Sequence, residues 1–89
     1  MRDLEEVFRG ENREMRYGVL DKDLDLVIAF LYEDIRDGND CYLVKKDGKY
    51  GYRALSGREY YPCVFEDANT CWRGQAWVKY NGKWGTVRF

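Results

Sequence analysis

The chain has 89 residues, a formal net charge of −1 and an aromatic content of 17%, which describes one small domain that buries only about 60–65% of the surface its unfolded form exposes. So even a charge balance argues against a general polyanion binder, whose positive charge should dominate the domain. No apolar run approaches the ~18 residues of a membrane-spanning helix, and Met1-Arg2-Asp3-Leu4-Glu5-Glu6 is too acidic for a signal peptide, so a cytoplasmic location is expected.

The charge is not evenly spread. Residues 1–40 hold six Lys/Arg against twelve Asp/Glu, and residues 41–89 hold nine against four, giving −6 and +5. Cys41, Cys63 and Cys71 are odd in number and form no Cys-x-x-Cys pair, which predicts reduced thiols rather than a disulfide framework or a zinc site.

At the front, Asp3 and Glu6 have the spacing of a capping box, and Gly10 could close a short helix over Leu4 to Arg9. The same stretch also fits a degenerate half-repeat, because Met15-Arg16-Tyr17-Gly18 occupies the slot of Gly48-Lys49-Tyr50-Gly51.

The rest of the chain is repetitive. Tyr17-Gly18, Tyr50-Gly51 and Trp84-Gly85 place an aromatic-glycine pair at an almost constant interval, 50 − 17 = 33 and then 84 − 50 = 34. Leu31-Tyr32-Glu33-Asp34 returns at the shorter of these intervals as Val64-Phe65-Glu66-Asp67, and Val44 to Lys49 matches Val78 to Lys83 at the longer. A near-constant period in this range marks a repeat architecture. It divides the single domain 1–89 into a cap or half-repeat at 1–16, units at 17–49 and 50–83, and a partial unit at 84–89.

Asp47-Gly48 and Asn81-Gly82 lie between apolar flanks, the strongest short-range hairpin signal, since a type I′ turn needs positive φ at both central residues. The register then sets Lys45 opposite Tyr50, Val44 opposite Gly51, Lys79 opposite Trp84 and Val78 opposite Gly85. A glycine inside each strand implies a bulge or a close approach by other backbone. Apolar runs over Leu26 to Tyr32 and Tyr60 to Phe65 supply a further strand per unit, with Pro62 pointing to a sheet edge or strand start. The fold expected is an all-β meander or short solenoid of about seven short strands in three-stranded units.

Asp47-Gly48-Lys49-Tyr50-Gly51 and Asn81-Gly82-Lys83-Trp84-Gly85, together with the Phe65-Glu66-Asp67 step, resemble the WG (or KWG) repeat found mainly in bacterial proteins. The resemblance covers about residues 15–89 and departs at the first pair, where no turn glycine precedes Tyr17. It implies an all-β repeat with an interaction role and brings no catalytic residue and no cofactor.

Chemistry-bearing patterns are sparse. There is no His and one Ser, Ser56, so Ser-His and Cys-His arrangements are impossible. Asp21-x-Asp23-x-Asp25 opens like a calcium loop, but Leu26 stands where the turn glycine belongs and Tyr32 where the bidentate Glu belongs. An acidic, solvated turn explains it better.

The leading reading is a non-catalytic module that binds protein. A carbohydrate- or nucleic-acid-binding module is the alternative, and a small enzyme comes third. Candidate partner contacts are Trp72, Arg73, Trp77, Lys79, Tyr80 and Lys83, because Trp and Arg dominate interface hot spots and the Trp72 loop displays both. For Trp72 the stronger expectation is that it folds back as a lid on the thin core, because apolar cover is scarce in so small a domain. Trp84, Val87 and Phe89 mark an open edge through which two chains could pair as a homodimer, oriented by their acidic and basic halves.

Overall fold

The computed structural model describes the backbone of residues 6–9 and all of residues 16–89. Ten strands and no helix occur among these residues, namely β1 (Glu6–Arg9), β2 (Tyr17–Leu20), β3 (Leu26–Tyr32), β4 (Asp34–Asp37), β5 (Cys41–Lys46), β6 (Lys49–Ala54), β7 (Glu59–Phe65), β8 (Asp67–Ala68), β9 (Gln75–Tyr80) and β10 (Lys83–Arg88). The short helix expected over Leu4 to Arg9 is corrected where it is described. Glu6–Arg9 is a strand because its backbone pairs antiparallel with β2, Val7 opposite Val19, so a ladder satisfies its amides where an isolated one-turn helix could not. Asp3, Leu4, Glu5 and Gly10, the rest of that expectation, lie outside the described residues.

Three antiparallel meanders follow one another, β1-β2-β3, then β4-β5-β6-β7, then β8-β9-β10. The seams fall at Glu33 and Glu66, one repeat apart, so each sheet begins within the repeat unit read from the aromatic-glycine pairs. Short strands β4 and β8, which the apolar pattern did not reveal, raise the count above seven.

Both hairpin registers are as expected. Lys45 pairs with Tyr50 and Val44 with Gly51, and Lys79 pairs with Trp84 and Val78 with Gly85. Asp47 and Gly48 have φ of 54° and 78°, and Asn81 and Gly82 have 52° and 79°, the left-handed pair of a type I′ turn. Lys45 Nζ stands 5.4 Å from the Tyr50 ring centre.

The recurring glycine has a specific cause. Tyr17 pairs with Tyr32, Val19 with Ile28 and Leu20 with Leu26, and one repeat on Tyr50 pairs with Phe65, Tyr52 with Tyr61 and Arg53 with Glu59. The same two register shifts recur, so the bulge itself belongs to the repeat. The bulged strand crosses over the glycine. A Cβ on Gly51 would lie 2.7 Å from Tyr61 O and from Pro62 C and O, and one on Gly18 would lie 2.6 Å from Ile28 O. The close approach therefore comes from the neighbouring strand of the same sheet. Pro62 is tolerated because β7 is an edge strand of its sheet.

Every residue of β5 from Cys41 to Val44 is buried, which a one-faced sheet would not require. Tyr42 and Val44 pack with Ile35 against Val19, Ile28 and Tyr32 of the first sheet. Cys41 and Leu43 pack with Tyr52 and Phe65 against Ala76 and Val78 of the third and Cys71 of the loop between β8 and β9. The middle sheet thus separates two apolar clusters. Its forward face, meaning the face toward the third sheet, carries an aromatic group in which the Tyr52 and Phe89 ring centres are 4.9 Å apart.

Candidate functional site

Alternation along β9 sends Ala76 and Val78 inward, where both are buried, and Gln75, Trp77 and Lys79 outward. The antiparallel ladder carries that outward set across the sheet, since Arg88 lies opposite Gln75, Thr86 opposite Trp77 and Trp84 opposite Lys79. Trp72 joins the same face by bridging to Gln75. All three tryptophans of the chain therefore share one sheet face, with Trp72 61% and Trp77 and Trp84 each 53% exposed.

Trp72 is held by a turn that sequence reading missed. Arg73 and Gly74 have φ of 53° and 79°, and Trp72 and Gln75 exchange backbone hydrogen bonds of 2.8 and 3.2 Å, which makes a third tight turn of type I′ geometry. The Gly74 amide donates to Asp40 Oδ2 at 2.8 Å, tying the turn to the middle sheet. Arg73 lies over the Trp72 ring at 5.6 Å. The indole points into solvent, so Trp72 is not a lid on the core.

Asn69 positions the neighbouring tryptophan, its Oδ1 accepting the Trp77 amide at 3.0 Å. Between the two indoles lies a cleft of about 240 Å³ lined by Asn69, Thr70, Trp72, Gln75, Ala76 and Trp77. A second cleft, of about 290 Å³, lies where the first and middle sheets meet and is lined by Tyr32, Lys46, Asp47, Glu59, Pro62 and Cys63.

The other candidates divide. Lys79 joins the tryptophan face. Tyr80 lies on the inward side, its ring 6.2 Å from that of Phe65, and Lys83 pairs with it at the hairpin end. Trp84 belongs to the outward face, whereas Val87 and Phe89 pack on the aromatic cluster of the middle sheet. Phe89 is secured there by its amide, which donates to Gly74 O at 3.0 Å. Gln75, Thr86 and Arg88 also lie on the face, and Asp67 of β8, opposite Lys79, brings one carboxylate to it; carrying the Asn81-Gly82 register two and four positions beyond Trp84 would have found Thr86 and Arg88.

The cysteines are free thiols. Cys41 Sγ donates to Cys71 Sγ at 2.7 Å, and Cys71 Sγ accepts the Asp40 amide at 3.3 Å, so the pair fastens the middle sheet to the segment entering the third. Burial, followed by the hydrogen bond to Cys71, pushes the Cys41 thiol far above its ordinary range. Burial also raises Cys63 and, further, the Tyr52 phenol. In the acidic turn, Asp21 Oδ1 accepts the amides of Asp23 at 2.9 Å and Asp25 at 3.0 Å, so one of the three carboxylates is engaged in holding the turn.

Sheets with a common bulge, a common turn and a common period define a tandem β-repeat protein. Residues 17–50 match the family model of the WG containing repeat, so this stretch carries a WG-type repeat. No curated protein and no solved structure matches it. No helix among the described residues is long and apolar enough to cross a membrane.

Proposed function

We propose that the chain is a non-catalytic, cytoplasmic interaction module that binds a protein partner through the outward face of its third sheet. The observation that carries this reading is the gathering of all three tryptophans on that face, each more than half exposed. Exposed indoles cost a small domain apolar cover that it can ill spare, and Trp with Arg is the commonest hot-spot composition. A β-ladder and a tight turn fix the backbone beneath them, which lowers the entropy lost on binding. The cleft between Trp72 and Trp77 is sized for one apolar side chain, and Arg73, Lys79 and Arg88 favour an acidic surround.

Immobilised protein should retain a partner through moderate salt, and Trp77→Asp should lose it with the melting temperature unchanged. Equal recovery by both proteins would refute the reading. Release in steep proportion to salt would indicate a nucleic-acid backbone instead. The uncharged lining of the cleft at Asn69, Thr70 and Gln75 supports a second reading, in which a neutral sugar stacks on an indole; its signature is a shift of tryptophan fluorescence on titration with oligosaccharides.

A further inference from the structure

Resting on the reading that the tryptophan face is the binding surface, we infer that one occupant of that face is the first sheet of a second copy of this chain, added head to tail. The internal packing shows how one sheet receives the next. In the middle sheet the forward-facing positions of the first hairpin strand are Cys41 and Leu43, and both are buried under the third sheet. The positions one repeat later are Gln75 and Trp77, and these are exposed. The third sheet therefore presents, uncovered, the face that its predecessor uses for stacking.

The opposite end of the molecule carries the complementary set. The backward face of the middle sheet includes Arg53 and Glu59, with Arg53 Nη1 donating to Tyr32 OH of the first sheet at 2.8 Å and standing 3.9 Å from Glu59. One repeat earlier, Leu20 and Leu26 hold those places, paired across the same bulge. A polar pair has become an apolar one, and Leu26 is 60% exposed.

The loop that follows each position repeats the pattern. In the middle sheet Leu55 leans back on the first-sheet cluster, and a Cβ on Gly57 would come within 2.2 Å of Val27 O. The equivalent first-sheet loop is the Asp21–Asp25 turn, which holds Leu24 at a left-handed φ of 66° and 68% exposed. A leucine rarely adopts that conformation, and here Asp21 O fixes it by accepting the Leu24 amide at 2.9 Å.

Charge sets the direction. Asp21, Asp23 and Asp25 surround Leu24 at the first-sheet end, and at the other Arg73, Lys79 and Arg88 outnumber Asp67 around the tryptophans. Joining unlike ends brings these groups together, whereas joining two tryptophan faces would oppose cation to cation. Head-to-tail contacts do not close on themselves as a two-fold pair does.

Sedimentation velocity tests this on the whole chain and on two variants. At low salt the wild-type mass should grow with concentration past the dimer without a plateau. Trp77→Asp, which loses the receiving face, and Leu26→Asp, which loses the inserting end, should each be monomeric, with association at least about tenfold weaker. Mixed in equal amounts they should form a one-to-one dimer that grows no further, because each supplies the end the other lacks. Trp84→Asp and Leu24→Asp replace either variant should it fail to fold. A wild-type monomer at high micromolar concentration overturns the inference but leaves partner binding by the face standing, since that is read separately from capture by wild type against Trp77→Asp. A Leu26→Asp dimer overturns the head-to-tail arrangement in favour of a face-to-face pair.

Discussion

Glu33 spans the Asp47-Gly48 turn, its Oε2 accepting the Asp47 amide at 2.8 Å and its Oε1 the Gly48 amide at 3.3 Å. Glu66 does the same one repeat later, with Oε1 accepting the Gly82 amide at 3.0 Å. The backbone of each Glu is fixed by donating its own amide to the hairpin, to Lys45 O and to Lys79 O, both at 2.8 Å. The aromatic-Glu-Asp step is thus the device by which the end of one sheet holds the turn of the next. Bonds to a charged acceptor contribute roughly 1.5–3 kcal/mol when sheltered and less in solvent, so Glu66→Ala should cost about 1 kcal/mol. Glu33, which is less exposed and bonds two amides, should cost somewhat more. The urea midpoint measures both, and unchanged midpoints would remove the turn-holding role.

The turn itself makes a sharper demand. Gly82 has φ of 79°, and a Cβ placed there would meet nothing within 4 Å, so a substitution is opposed by backbone strain alone. Gly82→Val should destabilise by about 1 kcal/mol or more, and Lys83→Ala, which removes an exposed side chain, by less than about 0.5 kcal/mol. Equal melting temperatures would contradict the hairpin.

These two turns show how far the sequence could be read. Period, hairpins and glycine spacing were legible because they depend on local backbone geometry that only a few residue types satisfy. Short strands β4 and β8 were not, since four and two residues carry no measurable periodicity and exist because a neighbouring strand pairs with them. The role of Glu33 was hidden because its amide partners lie 14 and 15 residues away. Trp72, Arg73 and Trp77 were visible as candidates by residue type, but their common face depended on the Arg73-Gly74 turn, where arginine rather than Asn or Asp takes the left-handed position.

The exposure of Trp72 separates stability from binding. Truncating a buried tryptophan typically costs ~3–5 kcal/mol, but an indole that is 61% exposed, with Arg73 lying over its ring, should cost about 1 kcal/mol or less. Trp72→Ala is expected to fold with a nearly unchanged melting temperature and to bind its partner more weakly. Loss of the folded state would show that the indole contributes to the core after all.

Buried thiols make the fold alkali-sensitive. In the unfolded chain a cysteine loses its proton near pH 9.0, whereas burial and the Cys71 contact keep Cys41 protonated far above that. The unfolded state therefore binds fewer protons as pH rises, and stability falls. The contribution of Cys41 is fully present below about pH 8 and declines above pH 9 by about 1.4 kcal/mol per pH unit. Cys63 adds to the decline, and Tyr52 joins it above its ordinary value of 10.0. Chemical unfolding at a series of pH values from 7 to 11 should show this slope, and Cys41→Ala should reduce it between pH 9 and 10. A slope identical in the variant would exclude Cys41 as its source.

Gly51 and Gly85 occupy the same position of the repeat, yet their surroundings differ. Over Gly51 passes the bulged strand β7, and a Cβ would stand 2.7 Å from three backbone atoms of Tyr61 and Pro62. Backbone atoms cannot swing aside as a side-chain tip can, so the bulge would have to lift, opening the contact between Tyr52 and Tyr61, whose ring centres are 6.4 Å apart. Overpacking of this kind costs about 1–3 kcal/mol, and Gly51→Ala should fall at the upper end. Gly85 is paired on one side only, through Val78, and nothing lies within 4 Å of a Cβ placed there. Its φ is not in the left-handed range, so alanine fits without strain and restricts the unfolded chain, a change worth about 0.4–1 kcal/mol in favour of the fold. Gly85→Ala should therefore raise the urea midpoint while Gly51→Ala lowers it. If the two substitutions acted alike, the glycine would be serving the strand's own conformation rather than the crossing of the bulged strand above it.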